Sequence, residues 1–194
     1  MGRSSPTVGE VFGKLPALET ERLVLRRVRL ADAEDVFAYA SDPEVTRYLS
    51  WETHRSVEDS REFLRSLLER YRKGEPASWG LVYKASGRFV GTGGFDAGVW
   101  TEHARAEVGC VISGEVSGLG LGTEALRAMI SFGFKELGLN RVEARCVSGN
   151  VASARIMEKA DMTHEGTARE KEFSKGAYRD MESYAILRRD YHPA

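Results

Sequence analysis

The sequence predicts one α/β (α+β) domain, a central mixed, mostly antiparallel sheet flanked by helices. Three observations predict it. Strand-like runs before and after the middle of the chain pair up around short glycine-bearing turns that read as hairpins. Between them lies a strand–helix–strand–helix order, with two-residue and 3.6-residue periodicities in turn, which sets helices on the faces of the same sheet. The chain of 194 residues is long enough for a sizeable core, and no repeat, low-complexity tract or linker divides it.

Residues 1–17 mix Gly, Ser and Pro without periodicity and read as a flexible N-terminal arm, leaving 18–191 as the domain. Arg22 to Val28 reads as a strand with Leu23 and Leu25 on one side. A helix follows over Ala31 to Ala40 and is ended by Asp42-Pro43. Ser56 to Lys73 is a helix N-capped by Ser56, with Glu58 and Asp59 in its first turn. Its buried stripe is Phe63, Leu64, Leu67, Leu68 and Tyr71. Strands over Ser78 to Lys84 and Phe89 to Phe95 join through Ala85-Ser86-Gly87, and Ala106 to Ile112 is a further strand. From Ala125 to Leu137 a helix turns Leu126, Met129, Ile130, Phe134 and Leu137 to one face. Asn140 to Val147 is a strand with Val142, Ala144 and Cys146 facing one way, followed by a helix from Val151 to Lys159 capped by Asn150. The closing strands run near Thr163 to Phe173 and Tyr178 to Leu187, around Ser174-Lys175-Gly176.

Composition narrows the function classes. Lys+Arg of 28 against Asp+Glu of 29 leaves a net charge of −1, so no basic field points to nucleic acid. Cys110 and Cys146 fall in apolar strand runs and read as buried free thiols, which suits a reducing cytoplasm. The four histidines show no paired-ligand spacing, so no metal is expected. No apolar run reaches about 18 residues and no signal-peptide pattern opens the chain, so neither export nor membrane insertion is expected.

The chemistry-bearing stretch is Ser117-Gly118-Leu119-Gly120-Leu121-Gly122-Thr123-Glu124, set between a strand and an amphipathic helix. At such a turn the first helical N–H groups lack internal partners and the dipole favours an anion. Glycine lets the backbone approach phosphate oxygens and take positive φ. The G-x-G-x-G spacing is neither the dinucleotide fingerprint nor a P-loop, and no lysine follows. By spacing alone the turn is either an anion cradle or a tightly packed bend.

Two further patterns accompany it: Asn150-Val151-Ala152-Ser153 with Glu158-Lys159-Ala160-Asp161-Met162, and Leu18-Glu19-Thr20-Glu21-Arg22-Leu23. Together the three resemble the GNAT superfamily of acetyl-CoA-dependent N-acetyltransferases over about Leu18 to Tyr191. The likeness is greatest to the branch that acetylates ribosomal-protein N-termini. The resemblance implies acetyl-CoA as co-substrate, with backbone amides of Ser117 to Thr123 on its pyrophosphate. It also implies that the pantetheine arm lies along the strand end at Val111 and Ile112, that Asn150 faces that arm, and that Ser153 approaches the cofactor sulfur. Asn150, Ser153 and Met157 share one helical stripe, being three and four residues apart. Many relatives carry a tyrosine acid where Met157 stands. Methionine donates no proton, so protonation of the thiolate passes to Ser153 or to water. Asn150 also reads as a plain N-cap, and Ser153 as a solvated first-turn residue. Ser117 and Leu119 depart from the usual polar or aromatic residues, and Asp161 stands where glycine commonly ends the helix, a position that calls for positive φ.

The implied reaction is attack of a neutral amine on the acetyl thioester. An α-amine, with a pKa near about 7.7–8, costs roughly 3.5 kcal/mol less to deprotonate than a lysine. A carboxylate relaying through water then suffices as base. Glu107, alternating with Gly109 and Val111, and Glu172, in a stretch similar to one in the ribosomal branch, are the two candidates; each also reads as an ordinary ion-paired strand charge. Tyr48, Trp51, Glu44 and Glu52 suggest an aromatic, acidic acceptor wall, or ordinary packing with solvated acids. The expected function is N-acetylation of a protein or peptide N-terminus by a cytoplasmic monomer or homodimer that binds neither nucleic acid nor membrane. A small amine such as a polyamine or amino-sugar drug as acceptor, or a non-catalytic acyl-CoA-binding module, are the alternatives.

Overall fold

The computed structural model describes residues 7–192. Its elements are α1 (Val8–Gly13), β1 (Leu18–Glu19), β2 (Leu23–Arg26), α2 (Ala33–Ala40), α3 (Pro43–Thr46), α4 (Val57–Lys73), β3 (Ser78–Tyr83), β4 (Phe89–Trp100) and β5 (Arg105–Ile112). They continue with α5 (Leu121–Lys135), β6 (Arg141–Val147), α6 (Val151–Lys159), β7 (Thr163–Ser174) and β8 (Ala177–Leu187). One mixed sheet of eight strands runs β1-β2-β3-β4-β5-β6-β8-β7. Every neighbouring pair is antiparallel except β5 with β6, the two strands joined by the α5 crossover.

Strand alternation assigns the two faces. Gly93 of β4 faces Cys110 of β5 and Met129 of α5, so α5 covers that side. Thr92, paired with Val111, is hydrogen-bonded by Tyr39 of α2, so α2 covers the other. Glu107, Gly109 and Val111 therefore share the α2 side with Glu143, Arg145 and Val147 of β6. Val142, Ala144 and Cys146 turn to the α5 side and are buried there. Helix α4 follows its signals: Ser56 Oγ accepts from Asp59 N at 3.3 Å, Gly74 closes it in the left-handed region (φ +69°), and Leu64, Leu67 and Tyr71 are buried. The Lys175-Gly176 turn between β7 and β8 has both residues at positive φ, as a two-residue hairpin requires. Asp161 takes the positive φ (63°) expected of it.

The reading of residues 1–17 as a flexible arm needs correcting; residues 1–6 lie outside those described. From Thr7 onward the chain is built in. Thr7 and Glu10 form a reciprocal capping box that starts α1. Phe12 is fully buried, edge-on to Phe95 at 6.4 Å, and Trp79 Nε1 donates to the Pro16 carbonyl at 2.7 Å. Six residues are too few to display a helical period, so the sequence hides this helix. Two boundaries also move: α5 begins at Leu121, at the glycine turn itself, and β4 runs on to Trp100. Phe12→Ala is expected to cost about 3–5 kcal/mol in denaturant unfolding, as for a filled core position. A loss within about 0.5 kcal/mol, the size of a surface change, would return residues 8–13 to the role of an arm.

Candidate active site

The sheet carries its own opening. β5 and β6 pair only at Arg105↔Arg141, Ala106↔Val142 and Glu107↔Glu143, and then diverge. The cause lies on β4, where the register to β5 jumps between Gly94↔Gly109 and Gly98↔Glu107, opposing two extra residues to Val108. Such a bulge bends the strand that carries it and increases the local twist of the pair. It is held in place by Ser78 Oγ donating to Asp96 Oδ1 at 2.8 Å and by Arg70 Nη2 donating to the Asp96 carbonyl at 2.9 Å. From Val108 to Ile112 one edge of β5 therefore has no strand partner, an edge able to accept an extended ligand. Val111 and Ile112 lie on it.

The glycine turn stands at the end of that edge. Gly118 and Gly120 have φ of +80° and +79°, and Gly120 is the N-cap of α5 with no side-chain cap. A Cβ on Gly122 would lie 2.8 Å from Ile156 Cδ1, so this glycine lets α5 seat against α6. The turn spends only some of its amides internally: Ser117 N bonds the Gly114 carbonyl and Leu119 N the Val116 carbonyl. Among the described residues no acceptor meets the N–H of Gly118, Gly120, Leu121, Gly122 or Thr123. Five open donors beside a helix N-terminus fit a pyrophosphate. Ser117 and Leu119 are not among them, which narrows the set expected from sequence.

The Thr20 to Arg22 motif braces this turn. Glu124, in the first turn of α5, accepts from Thr20 Oγ1, from Arg22 N at 2.8 Å and from Arg22 Nε at 2.7 Å. Arg22 Nη1 donates to the Leu119 carbonyl at 2.7 Å. Burial works to raise the Glu124 pKa, but the bonds from Thr20 and Arg22 outweigh it and hold the carboxyl below its ordinary value.

At the other end of the opening, Asn150 Oδ1 accepts from Ser153 N at 3.1 Å and caps α6. Ser153 is half-buried and lies near the Cys146 thiol, which contacts the Asn150 carbonyl at 4.0 Å and whose pKa burial raises. Met157 is buried in the core. Ser153 thus lies toward the α5 side of the sheet.

The two candidate bases lie on the α2 side, and one arginine joins them. Arg145 Nε meets Glu107 Oε1 at 2.8 Å and its Nη1 meets Glu172 Oε1 at 3.2 Å. Burial raises the Glu107 pKa, with the Arg145 charge opposing. Alongside runs a second chain of charges: Arg105 to Glu143 at 2.8 Å, Glu143 to Arg141 at 2.6 Å, and Arg141 to Glu165. Arg145 was missed in the sequence because a strand arginine shows no spacing signal.

Of the two readings of the acceptor wall, the structure shows the one with solvated acids. Trp51 packs on His54 at a centroid distance of 5.2 Å, Glu52 is exposed, and the Glu44 side chain is 82% exposed beside Arg47. Tyr48 does face the opening, its hydroxyl donating to the Gly149 carbonyl at 3.4 Å, and Lys175 Nζ donates to the Thr46 carbonyl at 2.6 Å. The wall is aromatic at Tyr48, but the charges nearest it are arginines, Arg47 and Arg179, which line a cavity of about 140 Å³ with Tyr48, Val147 and Ser174.

The class to which the bent sheet, glycine turn and capped α6 belong is given by comparison: an acyltransferase. Residues 22–163 match the acetyltransferase (GNAT) domain, and the chain belongs to the GNAT family of N-acetyltransferases. It is 34% identical to the uncharacterized N-acetyltransferase YoaA of Bacillus subtilis (strain 168) over 89% of this chain and 97% of that protein. A GNAT-family acetyltransferase from Bacillus anthracis superposes with a TM-score of 0.79 at 29% identity, covering 89% of this chain and 98% of that one. RimL, a ribosomal L7/L12 α-N-protein acetyltransferase solved with coenzyme A, has the same fold (TM-score 0.77, 18% identity, 89% and 98% coverage).

Because the folded-state pKa of Glu124 is lowered, its contribution is present above the unfolded pKa and is lost as pH falls through the folded one. Glu124→Gln is expected to lose about 1.5–3 kcal/mol at neutral pH, with the gap to the native protein closing in acid. A gap that stays constant with pH would assign the loss to packing.

Proposed function

We propose that the protein transfers the acetyl group of acetyl-CoA to the α-amine of a protein or peptide N-terminus. The observation that carries the reading is the set of five open amides at the glycine turn, beside the unpaired edge of β5. Those amides, at Gly118 and Gly120 to Thr123, hold the pyrophosphate, and the β5 edge at Val111 and Ile112 lines the pantetheine arm. Nothing in the donor set calls for a metal. Asn150 keeps α6 in register, with Ser153 beside the thioester sulfur.

The amine attacks the thioester carbonyl carbon from the α2 side. Its nitrogen lone pair forms the new C–N bond and the C–S bond breaks. The amine proton passes through water to Glu107 or Glu172, and the leaving thiolate takes a proton from Ser153 or from water. Burial raises the Glu107 pKa, which makes that carboxylate a better proton acceptor. Arg145 orients both carboxylates. Support for an N-terminal acceptor comes from the low deprotonation cost of an α-amine and from the fold shared with RimL.

The test is acetyl-CoA binding by calorimetry together with coenzyme A release over a panel of peptides, polyamines and amino sugars. Peptide turnover is expected, while turnover of small amines alone would move the reading to the small-amine alternative. Binding without turnover of any amine would leave a cofactor-binding module. Gly120→Val, which puts a β-branched residue at φ +79°, is expected to weaken acetyl-CoA binding about tenfold, from strain of about 1–2 kcal/mol. Ser153→Ala is expected to lower kcat by about ten- to a hundredfold, the low range for a general acid, with acetyl-CoA affinity unchanged. Glu107→Gln and Glu172→Gln, compared at saturating cofactor, identify the base as the one whose kcat falls further.

A further inference from the structure

We propose that the arginine-lined cavity at the acceptor end of the opening is an anion subsite, so that the preferred acceptors are peptides with an acidic residue at position one or two. The inference rests on the N-terminal acetylation reading and specifies its substrate class. Arg47 and Arg179 come from opposite walls, one following α3 and the other on β8, with Tyr48, Ser174 and Val147 between them. Lys175 Nζ ties the β7–β8 turn to the Thr46 carbonyl at 2.6 Å, and this fixes the distance between the walls.

Neither guanidinium is neutralised in place. Arg179 is half-buried and has no ion pair or side-chain hydrogen bond among the described residues. Glu172, its partner across the β7–β8 ladder, is taken by Arg145 at 3.2 Å. Asp180, the next carboxylate along the chain, accepts from Glu170 N at 2.7 Å. Arg47 has only Glu44, at 3.7 Å and largely in water, and lies over the Tyr48 ring at 5.3 Å. Arg179, half-buried and unpaired among the described residues, and the more exposed Arg47 line one cavity of about 140 Å³, where an anion would meet both charges. The planar donor fork of arginine matches a carboxylate or phosphate. Ser174 adds a hydroxyl at the rim.

The position of the cavity sets the reach. Val147 lines it, and Arg145, which holds both candidate bases, lies two residues earlier on the same face of β6. Two strand residues span about 7 Å, the separation between an α-amine and a carboxylate one residue further along a peptide. An amine at Glu107 and an acid at Arg47 and Arg179 thus fit one short N-terminal segment.

The experiment compares kcat/KM for peptides that differ only in Glu, Gln or Lys at position two, with a phosphoserine peptide and free glutamate as further acceptors. The glutamate peptide is expected to exceed the glutamine peptide by about tenfold, equivalent to about 1.4 kcal/mol, with most of the difference in KM. The ratio is expected to fall toward one in Arg179→Gln and in Arg47→Gln. Equal values in the native protein, or a ratio that survives both substitutions, would overturn the proposal. Turnover of free glutamate above every peptide would overturn the peptide assignment and keep the anion subsite. Calorimetry of the acetylated product peptides with coenzyme A present reads the same Glu-to-Gln ratio without turnover. A ratio of one there overturns the subsite, whereas a preserved ratio with no turnover of any amine overturns only the acetylation reading.

Discussion

The short parallel contact between β5 and β6 is the constraint on which the site depends. Three residue pairs hold the two strands together at one end, and the pairing stops at Val108, where the two-residue excess of β4 bends that strand and twists the sheet. A sheet paired to its ends would have satisfied those backbone groups and closed the gap. The opening instead connects the two faces of the sheet. Ser153 and Cys146 lie toward α5, and Glu107, Arg145 and Glu172 lie toward α2. In the proposed reaction a thioester set in the gap has Ser153 on one side and Glu107 and Glu172 on the other.

The α2 side of β6 alternates Arg141, Glu143 and Arg145; Glu143 and Arg145 pair across to β5, and Arg141 reaches Glu165 of β7. Those pairs let a carboxylate as enclosed as Glu107, with a side chain 15% exposed, sit in the sheet without the full cost of an isolated charge. Burial still wins over Arg145, because the Glu107 pKa is raised and not lowered. A base gains strength by that balance. Full neutralisation by Arg145 would have made it a weaker proton acceptor.

The fold was legible wherever one element carried its own signal. Ser56 and Gly74 mark the two ends of α4, Lys175-Gly176 marks the β7–β8 turn, and Val142, Ala144 and Cys146 declare a strand face by alternation. The glycine turn was legible as a turn between a strand and a helix, but which of its amides are free depends on the bonds of Ser117 and Leu119, and no pattern of residue types encodes those. Helix α1 was hidden by its length. Arg145 and the Arg47–Arg179 pair were hidden for a different reason: their roles exist only once segments about thirty to 130 residues apart meet. Of the two readings around Tyr48, the one with solvated acids is found: Glu44 and Glu52 turn to solvent, a choice that local sequence does not determine.

A glutamate in the first turn of a helix is ordinarily favourable, yet beside a site for an anion it works against binding. Glu124 is in that position, and the contacts around it resolve the conflict. Its charge is met by Thr20, by the Arg22 amide and by the Arg22 guanidinium, so the acid is neutralised within its own cluster. The same guanidinium reaches the Leu119 carbonyl, and its Nη2 lies 3.5 Å from where a Cβ on Gly120 would stand. The turn thus faces a cation and five amides, with the one nearby carboxylate already occupied. Thr20, Arg22 and Glu124, separated by about a hundred residues, act as a single device: Glu124 holds Arg22 in place, and Arg22 fixes the turn and keeps the field at the start of α5 positive. Cutting the device at Thr20 would loosen the carboxylate, and cutting it at Arg22 would expose that carboxylate to the anion.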